Sequence, residues 1–200
     1  VRKTIDLEIR KTYGEFRLDA RLSAGGVVHI YGTNGSGKTT LLKCIAGIVP
    51  VDSGKISHNG TEITRMPLEQ RRIIYIDRLS YFQNLDVDRH LRISRNTNTT
   101  EFSAIKELME INYAGRVRNL STGQKLKVSL ATAVLSTPRA ILLDEVAANI
   151  SDAHSMLNRL RPFLLNKHID LLNTSQEDDK RLERDYTFRI IEGRLQSVEH

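Results

Sequence analysis

Tryptophan is absent from this 200-residue sequence, and cysteine occurs once. A lone thiol cannot close an intrachain disulfide, so Cys44, on the apolar side of a helical stretch, reads as a small core residue in a chain suited to a reducing compartment. No run of about 18 apolar residues occurs, and the charged stretch Arg2–Arg10 does not read as a secretory leader. Any membrane span is therefore expected from another chain. Repeats, low-complexity linkers and sustained heptads are missing too, which leaves no basis for a solenoid or a long coiled coil. The formal charge of +6 lacks a basic block: Lys and Arg are spread along the chain, so nucleic acid is not an expected partner. Arg71-Arg72 and Lys125/Lys127 read as solvated positions at helix or strand ends.

One complete motif stands out against these absences. The apolar run Val27-Val28-His29-Ile30-Tyr31 leads into Gly32-Thr33-Asn34-Gly35-Ser36-Gly37-Lys38-Thr39-Thr40, and the helical Leu41-Leu42-Lys43-Cys44-Ile45-Ala46 follows. A G-x-x-x-x-G-K-[ST] pattern between a buried strand and a helix is a phosphate-binding loop. Its glycines let backbone N–H groups curl round an anion, and the helix start turns the positive end of its dipole to the same place. Lys38 is expected at the β- and γ-phosphates, and Thr39 offers a hydroxyl to Mg²⁺.

The remaining pattern predicts one α/β domain spanning residues 1–200. Thr4–Ile9 and Phe16–Leu18 read as strands of an antiparallel start, and Gly54–Ile63 as a hairpin turning at Asn59-Gly60. Ile73–Ile76 reads as a buried strand. A small helical insert follows, with helices over Val87–Arg95 and Glu101–Ile111 joined by Asn96-Thr97-Asn98-Thr99-Thr100, whose last Thr is a candidate cap. The α/β pattern then resumes: a helix near Gly123–Leu135, strand Ala140–Leu143, a helix near Ala153–Leu165, strand Ile169–Leu172, a helix starting at Ser175, and a hairpin of Thr187–Ile191 with Leu195–Val198.

Ala140-Ile141-Leu142-Leu143 ends in Asp144-Glu145, which puts two acids at the carboxyl end of a buried strand, where α/β sheets bind ligands. Adjacent strand residues point to opposite faces, so different tasks are expected: Asp144 at the metal and Glu145 at an attacking water. Leu120-Ser121-Thr122-Gly123-Gln124 opens a helix upstream of these acids. Phosphate loop, L-S-x-G-Q segment and Asp-Glu strand, in this order, resemble the ATP-binding cassette (ABC) ATPases over nearly the whole chain. The resemblance implies an α/β phosphate-loop NTPase fold of ABC type: a mixed-sheet core, an antiparallel β-subdomain, and a short α-helical subdomain at roughly 84–122. It also implies that Tyr13 stacks on adenine, with an ordinary strand-end aromatic as the lesser alternative. Ser121, Thr122, Gly123 and Gln124 would act in trans on the γ-phosphate held by a second cassette, with Ser121 also an N-cap.

Four places depart from that family. Where it carries a Gln after the Ile73–Ile76 strand, this chain has Asp77-Arg78, and Arg78 is a permanent cation with donors only; Gln83 is a substitute if the loop folds back. Where it carries a His near the γ-phosphate, this chain has Ser175, which reads either as a helix cap or as a remaining hydroxyl contact. Thr122 replaces a glycine, and Asn149-Ile150-Ser151-Asp152 only loosely matches the family's Asp-bearing loop. The resemblance implies an ATP-binding subunit that uses ATP and Mg²⁺. Such a subunit pairs with a second cassette chain, as homodimer or heterodimer, and drives a separate transmembrane permease from the cytoplasmic face. With Lys38 and Glu145 kept and the Gln and His positions changed, slow or partner-dependent hydrolysis is expected. The short insert resembles exporter cassettes. A weak regulatory half of an asymmetric pair and a soluble non-transport ABC ATPase are the alternatives.

Overall fold

The computed structural model describes residues 4–93, 99–147, 150 and 152–198. Alternation of Ile5, Leu7 and Ile9 with polar residues forms β1 (Ile5–Tyr13), and β2 (Phe16–Ala24) returns antiparallel with Leu18, Ala20, Leu22 and Ala24 buried. Then β3 (Val27–Tyr31), buried from Val27 to Ile30, delivers the chain through the glycine loop into α1 (Lys38–Ala46). A hairpin of β4 (Ser53–His58) and β5 (Thr61–Glu62) turns at Asn59-Gly60, both with positive φ. Next come α2 (Leu68–Arg71), β6 (Ile73–Ile76), α3 (Val87–Leu91), α4 (Thr99–Leu108), a 3₁₀ turn at Val117–Asn119, and α5 (Thr122–Leu135). The chain ends in β7 (Ala140–Leu143), α6 (Ala153–Asn166), β8 (Asp170–Ser175), β9 (Tyr186–Ile191) and β10 (Arg194–Val198).

Among the described residues ten strands join one mixed sheet in the order β5-β4-β1-β2-β10-β9-β3-β8-β7-β6. The β9-β3-β8-β7-β6 run is parallel, whereas the β1, β2, β4 and β5 end is antiparallel. A single registered pair, Arg194 with Asp19, joins β10 to β2. Two cores lie on the sheet. One is built from α3, α4, α5 and α6 residues such as Leu91, Ile105, Leu130 and Leu160. The other packs α1, through Leu41, Leu42 and Ile45, against β1, β2 and β4. The sheet therefore brings β3, β7 and β8 side by side, with their carboxyl ends at the glycine loop and the acidic pair.

Several local expectations are corrected. No helix starts at Ser175, which is the last residue of β8. Two of the three acids that suggested a helical first turn are held by charge pairs instead: Asp178 by Arg184 at 2.8 Å, and Asp179 by His154 and by Arg181 at 3.0 Å. Thr100 lies inside α4 rather than capping it, because the helix already starts at Thr99. The first insert helix ends at Leu91; Asn96 to Asn98 of its connector, and Asn149 and Ser151 of the loosely matching loop, lie outside the described residues.

Arg71 is not solvated but 4% exposed. Its guanidinium donates to the Cys44, Ile45, Met66 and Thr64 carbonyls at 2.6–3.0 Å, placing a cation on the unsatisfied C-terminal carbonyls of α1. Lys127 is likewise committed, to Asp152 at 3.0 Å and Glu110 at 3.1 Å, which ties α5 to the start of α6 and the end of α4. Cys44 is fully buried, and burial pushes its thiol up to about 11, as expected of a core residue.

Candidate functional site

A cleft of about 450 Å³ is lined by Tyr13, Phe16, Asn34, Gly35, Gly37, Lys38, Thr39, Thr40 and Glu145. Tyr13 and Phe16 come from the ends of β1 and β2, next to the turn between them, and the others from the loop that β3 feeds and from the strand end after β7. Glycine is required at Gly32, where an added Cβ would lie 2.3 Å from the Ile190 carbonyl, and at Gly37, which has φ +111° and would meet Phe16 Cζ at 2.8 Å. Thr33 is exposed in the loop and Ser36 buried against it.

Lys38 is 3% exposed. Its ammonium donates to the Gly32 carbonyl at 2.6 Å and the Thr33 carbonyl at 2.9 Å, and it pairs with Glu145 Oε1 at 2.9 Å. An ammonium has three N–H donors, and here three acceptors meet them.

The two acids have different partners, and strand alternation is not the reason. β7 ends at Leu143, and Glu145 has φ +55°, so a left-handed turn of the backbone separates the two side chains. Asp144, 8% exposed, accepts the Tyr75 hydroxyl at 2.6 Å and the Thr174 hydroxyl at 3.3 Å. Burial and then Asp144 hold the Tyr75 hydroxyl far above the ordinary phenol range, so it stays a donor. Thr174 also bonds the Leu143 carbonyl, and its oxygen accepts the Glu145 N–H, both at 3.1 Å. The β7–β8 register, with Leu143 opposite Asn173, brings Thr174 beside the acids. Tyr75, Thr174 and Phe16 were not anticipated from sequence. The signal for Tyr75 was a hydroxyl within an otherwise aliphatic strand; Thr174 needed the register.

Ser121 caps α5 in a reciprocal box: its hydroxyl accepts the Gln124 N–H at 3.3 Å, and Gln124 Oε1 accepts the Ser121 N–H at 3.0 Å. Ser121 and Thr122 are exposed; Ser121, Gly123 and Gln124 do not line the glycine-loop cleft, and Thr122 borders a neighbouring groove. Arg78 is exposed on the same groove. Gln83 does not line the cleft or the groove; its carbonyl accepts the Arg118 N–H at 3.0 Å. The Ser175 hydroxyl donates to the Glu177 carbonyl and lies 3.3 Å from His29 Nε2, so it is turned away from the cleft. His29 is fully buried, and burial with Arg184 nearby holds its imidazole down to about 4.

A family model described as "ABC transporter" matches residues 16–148. The molybdenum import ATP-binding protein ModC of Paramagnetospirillum magneticum is 32% identical over 209 residues, covering 94% of this chain and 57% of that protein. The sulfate/thiosulfate import ATP-binding protein CysA of Vibrio cholerae is 30% identical over 219 residues, covering 96% of this chain and 56% of its own length. The molybdate/tungstate import ATP-binding protein WtpC of Methanocaldococcus jannaschii is 34% identical over 160 residues, with 74% and 53% covered. The chain thus spans about half the length of the curated relatives it matches. All three are named for import, whereas the short insert suggested an exporter-like system. A solved ATP-binding cassette of an ABC transporter superposes with a TM-score of 0.81 at 24% identity, covering 98% of this chain and 90% of that one. A bacterial Atm1-family ABC exporter with ATP bound also reaches 0.81, at 19% identity, with 98% and 38% covered. At these identities the likeness shows the fold alone.

Proposed function

The chain belongs to the ABC transporter family of ATP-binding cassettes, and from that premise we propose that it is the ATP-binding subunit of an import-type transporter. It hydrolyses ATP to ADP and phosphate in a head-to-tail pair with a second cassette. One observation carries the reading: Tyr13, the glycine loop and Glu145 meet in one cleft, while Ser121, Gly123 and Gln124 do not line it. The phosphates in that cleft are met by the loop and Lys38. The α5 start, with Ser121 and Thr122 exposed, is left to cover a neighbour's phosphates by the same anion-at-helix-start physics.

Adenine stacks on Tyr13, with Phe16 as a second aromatic wall, and the phosphates follow the loop to Lys38. Without nucleotide, Lys38 holds Glu145. A triphosphate carries more charge than one carboxylate and displaces it from the ammonium, freeing Glu145 to take a proton from the attacking water. The water oxygen bonds to the γ-phosphorus as the bond to the β–γ bridging oxygen breaks, and Lys38 stabilises the charge that ADP gains.

The oxygen donors Thr39 and Asp144 suit Mg²⁺. Such an ion takes the rest of its shell from phosphate and water. When bound, Mg²⁺ supplies charge neutralisation; Tyr75 and Thr174 orient Asp144 for it.

The permease contact is assigned to the helical insert, roughly 84–122, and the segment before it, where Leu79 is 77% and Phe82 59% exposed. Among the described residues no helix is long and apolar enough to cross a membrane. In this reading the permease holds the subunit at the cytoplasmic face. Turnover is slow or partner-dependent, because Arg78 cannot accept a water proton and the Ser175 hydroxyl is spent on Glu177. That observation favours, as a second reading, the weaker half of an asymmetric pair.

The test is Glu145→Gln. With saturating MgATP the variant is expected to form a dimer in sedimentation analysis, with hydrolysis reduced at least about 100-fold, the scale of losing a general base. A variant that stays monomeric while binding ATP sinks the head-to-tail reading.

A further inference from the structure

Beside the glycine-loop cleft runs a groove of about 400 Å³, walled by Ile76, Asp77, Arg78 and Tyr81 on one side and by α5 on the other. Glu145 is shared by both hollows. Four charged side chains line the groove: Asp77, Arg78, Lys125 and Glu145. The two acids already have partners. Asp77 Oδ1 accepts the Leu79 N–H at 2.9 Å and the Ser80 hydroxyl at 2.7 Å, and Glu145 pairs with Lys38. The two cations are not matched. Among the described residues Arg78 makes no ion pair or side-chain hydrogen bond, and Lys125 lies only over the Tyr81 ring, 5.1 Å from its centroid. The groove thus holds as many acids as cations, but its arginine fork has no acceptor among the described residues.

We propose that Arg78 binds the terminal phosphoryl group of ATP seated in the glycine loop, which makes it the residue that distinguishes ATP from ADP, with Lys125 on the opposing wall drawn towards the same charge. This rests on the ATP reading above. Lys38 fixes where the β- and γ-phosphates sit, and Glu145, 2.9 Å from it, borders the groove that holds Arg78. Once a triphosphate displaces Glu145, that wall opens and the γ-phosphate meets a guanidinium free to bond it in bidentate fashion. A glutamine has neither the charge nor the fork. The arginine thus supplies a cation that the neutral Ser175 hydroxyl does not. Because Arg78 follows β6 and Lys125 stands on α5, a shared anion also draws the start of α5 towards the end of β6.

The experiment is calorimetric titration of the full chain and its Arg78→Ala, Arg78→Lys and Arg78→Gln variants with Mg-ATPγS and with MgADP. Arg78→Ala is expected to weaken ATPγS about tenfold or more, the scale of a charged hydrogen bond, with ADP changed less than about twofold. Arg78→Lys recovers part of the loss and Arg78→Gln none. Equal loss for both nucleotides, or no loss for either, overturns the proposal, as does an Arg78 effect seen only when inorganic phosphate is added to the ADP complex. If the unaltered chain binds neither nucleotide, the ATP reading itself fails, and this inference with it.

Discussion

Arg71 shows how much one side chain can hide from a reading of its neighbours. An Arg-Arg pair at the end of a short helix reads as solvated, yet Arg71 is buried under four carbonyls while Arg72 stays exposed. It completes α1 electrostatically: anion-binding amides at the start, a guanidinium at the end. Arg71→Ala is expected to cost about 3 kcal/mol or more in urea unfolding, since it strands buried acceptors. Arg72→Ala should stay within about 0.5 kcal/mol, the usual range for surface positions. The glycine loop, Lys38, Thr39, Asp144 and Glu145 were legible because their chemistry requires those residue types at that spacing. Tyr75, Thr174 and Arg71 were not, because their partners are 69, 30 and 27 positions away in the chain.

Among the elements, α5 carries two roles on one residue. The Ser121 hydroxyl accepts the Gln124 N–H as a cap, and its own proton remains available for a partner's phosphate. Two substitutions separate these roles. Ser121→Ala is expected to lose about 1 kcal/mol of stability with the cap. Ser121→Asp keeps a good cap and near-normal thermal stability, but sets a carboxylate against the incoming phosphate. In a Glu145→Gln background it is expected to abolish the ATP-dependent dimer seen by sedimentation. This helix was readable because cap, capping-box glutamine and apolar run agree over 14 residues. The segment after β8 carried the same local signal, a serine followed by acids, and forms no helix, since Arg184, His154 and Arg181 claim those acids. Local propensity yields here to charge pairs that hold Asp178 and Asp179 in another geometry.

For the whole molecule, acid is the condition that exposes its buried histidines. Burial lowers His29 from 6.5 to about 4, and burial also lowers His90, whose Nε2 accepts the Phe82 N–H at 3.1 Å. Between these values the unfolded chain binds a proton that the folded chain refuses at His29, so stability falls as pH drops below about 6.5 and levels off below about 4. His29 contributes about 3 kcal/mol to that fall. Urea melts of His29→Gln between pH 4.5 and 7.5 are expected to show a visibly shallower slope than the unaltered chain. The strands of the sheet were largely foreseeable from alternation and apolar runs, but their order was not, because β10 beside β2 joins residues 19 and 194, near opposite ends of the sequence. That single registered pair is also the narrowest seam in the sheet, and it falls between the hairpin bearing Tyr13 and the strands that carry the glycine loop. A nucleotide reaching from Tyr13 to Lys38 would span the seam as a suture, so that pulling the two halves apart would first have to tear out the ligand.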